Sequence, residues 1–159
     1  MTNNKQFEIV TRKEMFVIGL PLRTDNSSEG IKKMEEHWIR FFDDGAPIPD
    51  LIPNKKNNDV LAIYTKYAGD YTNTFTLILG FEVATLATAP ERLVAFTIPA
   101  QTYALFSFPC PETEDLVRAW KAIWASNLKR AYKADFELRR APKNEDDTPD
   151  MQIYIGVRE

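Results

Sequence analysis

Two glutamates on strand-like segments are the acidic residues best placed to do chemistry. Glu137 alternates with Phe136 and Leu138, which predicts that its carboxylate points away from these two apolar side chains. Glu82 stands near the end of another strand-like segment and also alternates with apolar neighbours. A carboxylate in an apolar groove must be balanced by a cation or by hydrogen-bond donors. If the two glutamates converge, one could stay charged while the other holds a proton, which suits capture of a cation or acid–base work on a strained ring.

Both glutamates also have a plainer interpretation. Glu137 could lie on an exposed strand face and form an ion pair with Arg139 or Lys133. Glu82 could equally belong to a solvated face of its strand. The two interpretations differ in burial, so the structure must decide between them.

Aromatic residues are candidate walls for such a groove. Trp120 and Trp124 lie one turn apart on the apolar stripe of the second predicted helix, and Trp38 holds the corresponding position in the first. These rings either complete the core or present a face to a cation, an interaction worth about 0.5–2 kcal/mol. Tyr64 and Tyr154 lie on predicted strands, and Tyr154 alternates with the apolar Ile153 and Ile155, so its hydroxyl could reach a glutamate. The predicted ligand-binding residues are therefore Glu137, Glu82, Tyr64, Trp120, Trp124, Tyr154 and Trp38.

Several common kinds of active site find no support in the sequence. The single histidine, His37, lies about 90° from the apolar centre of the first helix, which predicts a surface position. Cys110 stands between two prolines and is expected to be an inert thiol. The sequence has no glycine-rich phosphate loop and no metal-ligand cluster of His, Cys or Asp. We therefore expect neither a metal nor a cofactor.

The elements that must position these side chains recur in the same order in each half of the chain. Residues 7–23 alternate loosely and predict a bent or bulged strand, and residues 27–29 offer an N-cap for the first helix. A proline-rich loop follows, and strands are predicted over 60–67 and 72–86. The first half therefore has the order strand, helix, strand, strand.

The second half repeats this order. Residues 93–108 predict a long strand that is broken at 99–101, after which Thr113 can cap the second helix. Further strands are predicted over 134–139 and 151–158. The repetition is one of element order, with little sequence identity between the halves.

The repeated order predicts an α+β fold with pseudo-twofold symmetry. Short turns between successive strands favour an antiparallel sheet, against which each helix lays its apolar stripe. We expect one domain over residues 1–159, with halves of about 1–88 and 89–159. A groove should form where the halves meet, flanked by the two helices.

Composition narrows the classes of protein to be considered. The chain has 159 residues, of which 44% are hydrophobic and 27% charged, as in ordinary globular domains. It has neither an apolar stretch of about 18 residues nor a secretory signal, so we expect no membrane association. A single cysteine favours the cytoplasm. The net charge of −3, with basic residues dispersed, argues against direct binding of nucleic acid.

Segments along nearly the whole chain resemble the GyrI-like effector-binding family. They are VIGL (17–20), VLAIYT (60–65), LGFEV (79–83), TIPAQTYALF (97–106), the tryptophan-bearing helix, FE (136–137) and IYIGV (153–157). This family supplies the drug-sensing domains of AraC- and MerR-type regulators and also occurs as free-standing proteins. Family members often carry Gly where Gln101 stands and Pro where Gly156 stands, so the chain departs from the pattern at two positions.

The resemblance implies a ligand groove between the halves, with aromatic walls and an acidic residue at its floor, at the position of Glu137. Regulators of the family bind lipophilic cations, so we expect a hydrophobic, cationic small molecule and a binding protein in preference to an enzyme. Some free-standing members are hydrolases that open cyclopropane rings. That leaves a second hypothesis, in which Glu82 and Glu137 direct water onto an electrophilic carbon. A third is a protein-inhibiting module that acts through its surface.

Overall fold

Within the part of the chain that the structure describes, eight strands form one sheet and two helices pack on it. The structure is a computed structural model, and it describes residues 7–43, 47–86, 88–109, 112–147 and 149–158. The expectation for Cys110 lies outside these residues. The strands are β1 (Glu8–Arg12), β2 (Met15–Thr24), β3 (Val60–Thr65), β4 (Phe75–Glu82), β5 (Val94–Ile98), β6 (Gln101–Phe108), β7 (Ala134–Arg139) and β8 (Met151–Gly156), and the helices are α1 (Ser28–Phe41) and α2 (Thr113–Ala125). The α+β class is confirmed.

The strand order carries the predicted twofold symmetry. It runs β1-β6-β8-β7-β3-β4-β2-β5, and every neighbouring pair is antiparallel. Exchanging each strand of the first half with its counterpart in the second half reverses this order onto itself. The symmetry axis therefore passes between β3 and β7, at the centre of a sheet that curls into a half-barrel.

Each half has one more strand than we predicted. Residues 7–23 form two strands because β1 pairs with β6 whereas β2 pairs with β4 and β5, at the other end of the sheet. Residues 93–108 likewise divide at Pro99, which has no amide hydrogen for a strand ladder. The order in each half is therefore strand, strand, helix, strand, strand. The first strand of each half pairs with the opposite half.

Both faces of the sheet are apolar. Leu77, Leu79 and Phe81 of β4 lie on the face that α1 covers, and the corresponding face of β6 and β8 packs against α2. Ile63 of β3 and Phe136 of β7 belong to a separate core on the opposite face. A strand residue that points away from one apolar core therefore points toward another, whichever face it occupies.

The prediction that His37 lies on the surface is wrong. The side of α1 that is buried carries Gly30, His37 and Phe41, and His37 is only 2% exposed. Its Nε2 donates a hydrogen bond to the Leu20 carbonyl at 2.8 Å. The prediction assumed that the centre of the apolar stripe faces the sheet, but part of the stripe, including Trp38, faces the space between the helices.

The two helix N-termini gave one correct and one incorrect prediction. The N-cap of α1 is Ser27, as expected, and its Oγ accepts a hydrogen bond from the Gly30 amide at 3.0 Å. The N-cap of α2 is Glu112 and not Thr113. The Glu112 amide donates to the Asp115 carboxylate at 2.9 Å, as in a capping box. Neither described helix has the length and hydropathy needed to cross a membrane.

Gln101 and Gly156, the two positions at which the chain departs from the family pattern, lie next to each other. A Cβ on Gly156 would come within 2.9 Å of the Gln101 side chain, whose Nε2 donates to the Ala134 carbonyl at 2.7 Å. The Gly156 amide donates to Asp135 at 2.7 Å, a bond that proline could not make. Gln101 therefore fits here because residue 156 is glycine.

Candidate ligand-binding site

A cavity of about 290 Å³ opens between α1, α2 and the centre of the sheet. This volume is close to the lower limit for small-molecule pockets, which measure roughly 300–1,000 Å³. Its walls include the rings of Trp38, Tyr64, Tyr67, Phe75, Trp120 and Trp124. Its charged side chains are Glu35, Lys121, Arg130, Glu137 and Arg139. The cavity lies where the groove between the halves was predicted.

Glu137 lies at the floor of this cavity with its carboxylate surrounded by donors. The Tyr64 hydroxyl donates to Oε2 at 3.1 Å, and the Trp120 indole N–H donates to the same oxygen at 2.8 Å. Arg139 donates to Oε1 at 3.0 Å. The Glu137 side chain is only 4% exposed, so these donors replace much of its hydration.

The two neutral donors remain protonated at physiological pH. Burial raises the pKa of Tyr64 well above its ordinary value of 10.0, and the neighbouring Glu137 carboxylate raises it further. The indole N–H of Trp120 has no acidic proton in this range. Both groups therefore act as fixed donors that stabilise negative charge at the floor of the cavity.

Arg139 connects the floor to the α1 wall. Its guanidinium carbon lies 4.2 Å from the centre of the Trp38 ring, while one of its terminal nitrogens pairs with Glu137. The pairing of Glu137 with Arg139 was foreseen for an exposed glutamate. The pairing is correct, but the exposure is not. Residues two apart on a strand share a face, which was the sequence signal for this contact.

The tryptophans of α2 border the cavity as well as the core. Trp120 meets Tyr64 edge to face with ring centres 5.2 Å apart. Trp124 stacks on Tyr71 with centres 5.5 Å apart and planes within 3° of parallel. Tyr71, which was not among the predicted ligand-binding residues, therefore also lines the cavity.

Glu82 does not converge with Glu137. It alternates with Phe81 and so faces the other side of the sheet, where its carboxylate lies 3.4 Å from the Lys56 amine. Neither Glu82 nor Lys56 lines the cavity. The condition set for paired carboxylates, that Glu82 and Glu137 converge, is therefore not met.

Tyr154 is also outside the cavity. Its ring stacks on Phe136 in the core on the opposite sheet face, with centres 4.5 Å apart. Its hydroxyl donates to Gln152 at 2.8 Å and not to a glutamate as predicted. The alternation with Ile153 was read correctly, but it places Tyr154 in a second core because both faces are apolar.

A second buried carboxylate, which the sequence analysis missed, lies beside the cavity. Asp135 is fully buried and forms an ion pair with Arg130 at 2.7 Å. It also accepts hydrogen bonds from the Tyr67 hydroxyl and the Gly156 amide. Burial raises the pKa of the Asp135 carboxyl, and the Arg130 charge opposes that shift. The signal was its position two residues before Glu137 on β7, which puts both on one face.

The described residues contain no cluster of three or more His, Cys, Asp or Glu side chains that could hold a metal ion. The cavity presents aromatic faces, one buried carboxylate and the cations around it. Such a site can bind an organic molecule through apolar contact and charge.

Comparison with known proteins gives relatives along most of the chain. Residues 8–157 match the family model of integron-associated effector binding proteins (Cass2). The chain is 22% identical over 145 residues to YobU of Bacillus subtilis, a protein named as a transcriptional regulator, with 88% of this chain and 90% of YobU covered.

Two solved structures share the fold. The integron cassette protein VCH_CASS2 of Vibrio cholerae superposes with a TM-score of 0.70 at 25% identity, over 96% of this chain and 95% of that one. SAV2435, solved bound to tetraphenylphosphonium, superposes with a TM-score of 0.73 at 11% identity, over 96% and 93%. Because the family match spans nearly all described residues, the chain belongs to the integron-associated effector binding proteins, within the GyrI-like effector-binding family.

Proposed function

We propose that this chain binds a hydrophobic, cationic organic molecule in the cavity between α1 and α2, without converting it chemically. One observation carries the proposal: the Glu137 carboxylate is almost completely buried yet opens onto a cavity with aromatic walls. A buried charge is stable only when it is balanced, and a ligand cation can provide that balance.

The aromatic walls support the cationic part of the proposal. Trp38, Trp120 and Tyr64 all line the cavity near the carboxylate, and a cation over such a ring gains about 0.5–2 kcal/mol or more when desolvated. SAV2435, whose fold this chain shares, was solved with an organic cation, tetraphenylphosphonium. An extended cation of that kind would use both the rings and the charge.

The hydrolase alternative loses its proposed mechanism. It required Glu82 and Glu137 to act together, and their side chains lie on opposite faces of the sheet. The other described carboxylate of the cavity, Glu35, is exposed at its rim. A single buried carboxylate is sufficient for capture of a cation, whereas the two-carboxylate reaction has no second partner at the floor.

The proposal also covers the extent of the domain, its location in the cell and the partners it does not contact. We propose one ligand-binding domain over residues 1–159, because strands of both halves lie in the same sheet. We also propose a cytoplasmic location, in keeping with a single cysteine, and no direct contact with nucleic acid or membrane, in keeping with the net charge of −3.

Titration with tetraphenylphosphonium, followed by tryptophan fluorescence, tests the proposal. Glu137→Gln keeps the size of the side chain but removes its charge, so we expect affinity to fall about tenfold to a hundredfold, or roughly 1.4–2.8 kcal/mol. Glu82→Gln is the matched control because Glu82 lies outside the cavity, and it should bind as the wild type does. Equal affinity of wild type and Glu137→Gln would reject Glu137 as the charge partner.

A parallel assay separates binding from catalysis. The protein is incubated with a cyclopropane-containing electrophile, and the mixture is followed by mass spectrometry for addition of water. We expect no product above the rate without protein. Turnover that disappears in Glu137→Gln would replace the binding proposal with the hydrolase hypothesis.

A further inference from the structure

The protein already supplies a cation to its own candidate site. Arg139 forms the ion pair with the floor carboxylate and at the same time lies over the Trp38 ring, 4.2 Å from its centre. These are the two interactions that a cationic ligand would make with Glu137 and an aromatic wall. We infer that Arg139 is an internal competitor that a cationic ligand must displace, and that it thereby sets which cations can bind. This inference rests on the proposed function.

The environment of Arg139 allows it to leave. Its side chain is 39% exposed, whereas that of Glu137 is 4% exposed, so the guanidinium can regain hydration by turning outward. Its Nε is buried and has no hydrogen-bond partner among the described residues. The arginine is therefore held mainly by the carboxylate and the Trp38 ring, both of which a ligand can take over.

Arg130, the other arginine that lines the cavity, is buried with its partner and provides a comparison for Arg139. Its side chain is 4% exposed, and it pairs at 2.7 Å with Asp135, which is fully buried. Opening that pair would leave both charges without water, whereas opening the Arg139 pair exposes one partner to solvent. Of the two arginines at the cavity, Arg139 is the one that can exchange with a ligand.

Internal competition determines the class of ligand. A ligand binds only to the fraction of molecules in which Arg139 has moved away, so its apparent affinity is reduced by that fraction. A small hydrated cation offers Glu137 no more than Arg139 does, and it would remain in water. A large cation with delocalised charge and aromatic rings gains apolar contact in addition, so it can displace the arginine. The site should therefore select extended lipophilic cations over small ammonium ions.

The experiment compares wild type with Arg139→Met for binding of tetraphenylphosphonium. Methionine retains much of the apolar stem and removes the competing charge, so we expect affinity to rise at least about fivefold. The gain should vanish in the double variant Glu137→Gln/Arg139→Met, because it depends on the freed carboxylate. Lys56→Met is the matched control, since it removes a cation from the Glu82 ion pair outside the cavity and should leave affinity unchanged.

The outcomes distinguish this inference from the proposed function. If Glu137→Gln weakens binding but Arg139→Met does not strengthen it, Arg139 is structural and the inference is overturned while the proposed function stands. If neither wild type nor Arg139→Met binds the phosphonium, both are overturned. Arg139→Lys covers the case in which the methionine variant does not fold, because lysine keeps the charge but lacks the planar group that stacks on Trp38. A folded Arg139→Lys protein that binds no tighter than wild type would also overturn the inference.

Discussion

The hydroxyl of Tyr64 on β3 lies 3.1 Å from Oε2 of Glu137 on β7. These two strands are neighbours at the symmetry axis, and each comes from a different half of the chain. In the ladder Tyr64 stands opposite Asp135, so its contact with Glu137 is a diagonal one on the same face. The floor of the cavity is therefore assembled only when the two halves pair.

This contact predicts a specific loss of stability. Tyr64→Phe removes the hydroxyl and leaves the ring, so Glu137 keeps its charge but loses one buried donor. Hydrogen bonds to charged groups are worth about 1.5–3 kcal/mol, and we expect the free energy of unfolding to fall by that amount. Urea denaturation measures it. Tyr71→Phe is the matched control, because the Tyr71 hydroxyl has no hydrogen bond among the described residues, and an equal loss there would contradict the prediction.

The ion pair between Asp135 and Arg130 predicts a larger effect. Asp135→Asn preserves shape but leaves the Arg130 charge buried and uncompensated, so we expect a loss of roughly 3–5 kcal/mol in the free energy of unfolding. Asp150→Asn provides the comparison, since Asp150 pairs with Arg140 and its side chain is 44% exposed. Exposed pairs contribute about 1 kcal/mol or less. Similar losses in the two variants would show that burial of the Asp135 pair is unimportant.

His37 predicts that the protein is destabilised by mild acid. Burial lowers the pKa of His37 below its ordinary value of 6.5, so the folded state keeps a neutral ring that the unfolded chain would protonate. Below about pH 6.5 the unfolded state therefore binds more protons, and the free energy of unfolding falls as the pH is lowered, by at most about 1.4 kcal/mol per pH unit. Denaturation at about pH 7.5 and pH 5.5 measures this.

The matched variant for that prediction is His37→Gln. Glutamine can still donate to the Leu20 carbonyl but does not titrate, so the pH dependence in this window should become smaller. The carboxylates with lowered pKa values, such as Asp147 at about 2, change their charge only at lower pH. An unchanged pH dependence in His37→Gln would assign the effect to another group.

Much of the fold could be predicted because its elements carry local signals. The bounds of β7 were predicted in full, and Ser27 was among the residues offered as the α1 N-cap. The symmetry followed from the repeated order of elements. The exchange of β1 and β5 between the halves could not be predicted, because alternation along a strand does not reveal its pairing partner.

The candidate site was only partly predictable for a related physical reason. Alternation showed correctly that Glu137 and Tyr154 point away from their apolar neighbours. It could not show that one of these faces holds a cavity while the other holds a second core. His37 was misplaced for the same reason, because an apolar stripe that lines a cavity shifts the helix face that meets the sheet.

Because β1 pairs with β6 and β5 pairs with β2, neither half of the chain can complete its part of the sheet without the other. If the chain were cut between β4 and β5, each fragment would lack the partner on which its own first strand forms its ladder. Neither fragment could close its hydrogen bonds alone, and each would expose an open edge that invites association. Mixing the two fragments should restore the intact sheet, because each fragment supplies the strand with which the first strand of the other pairs.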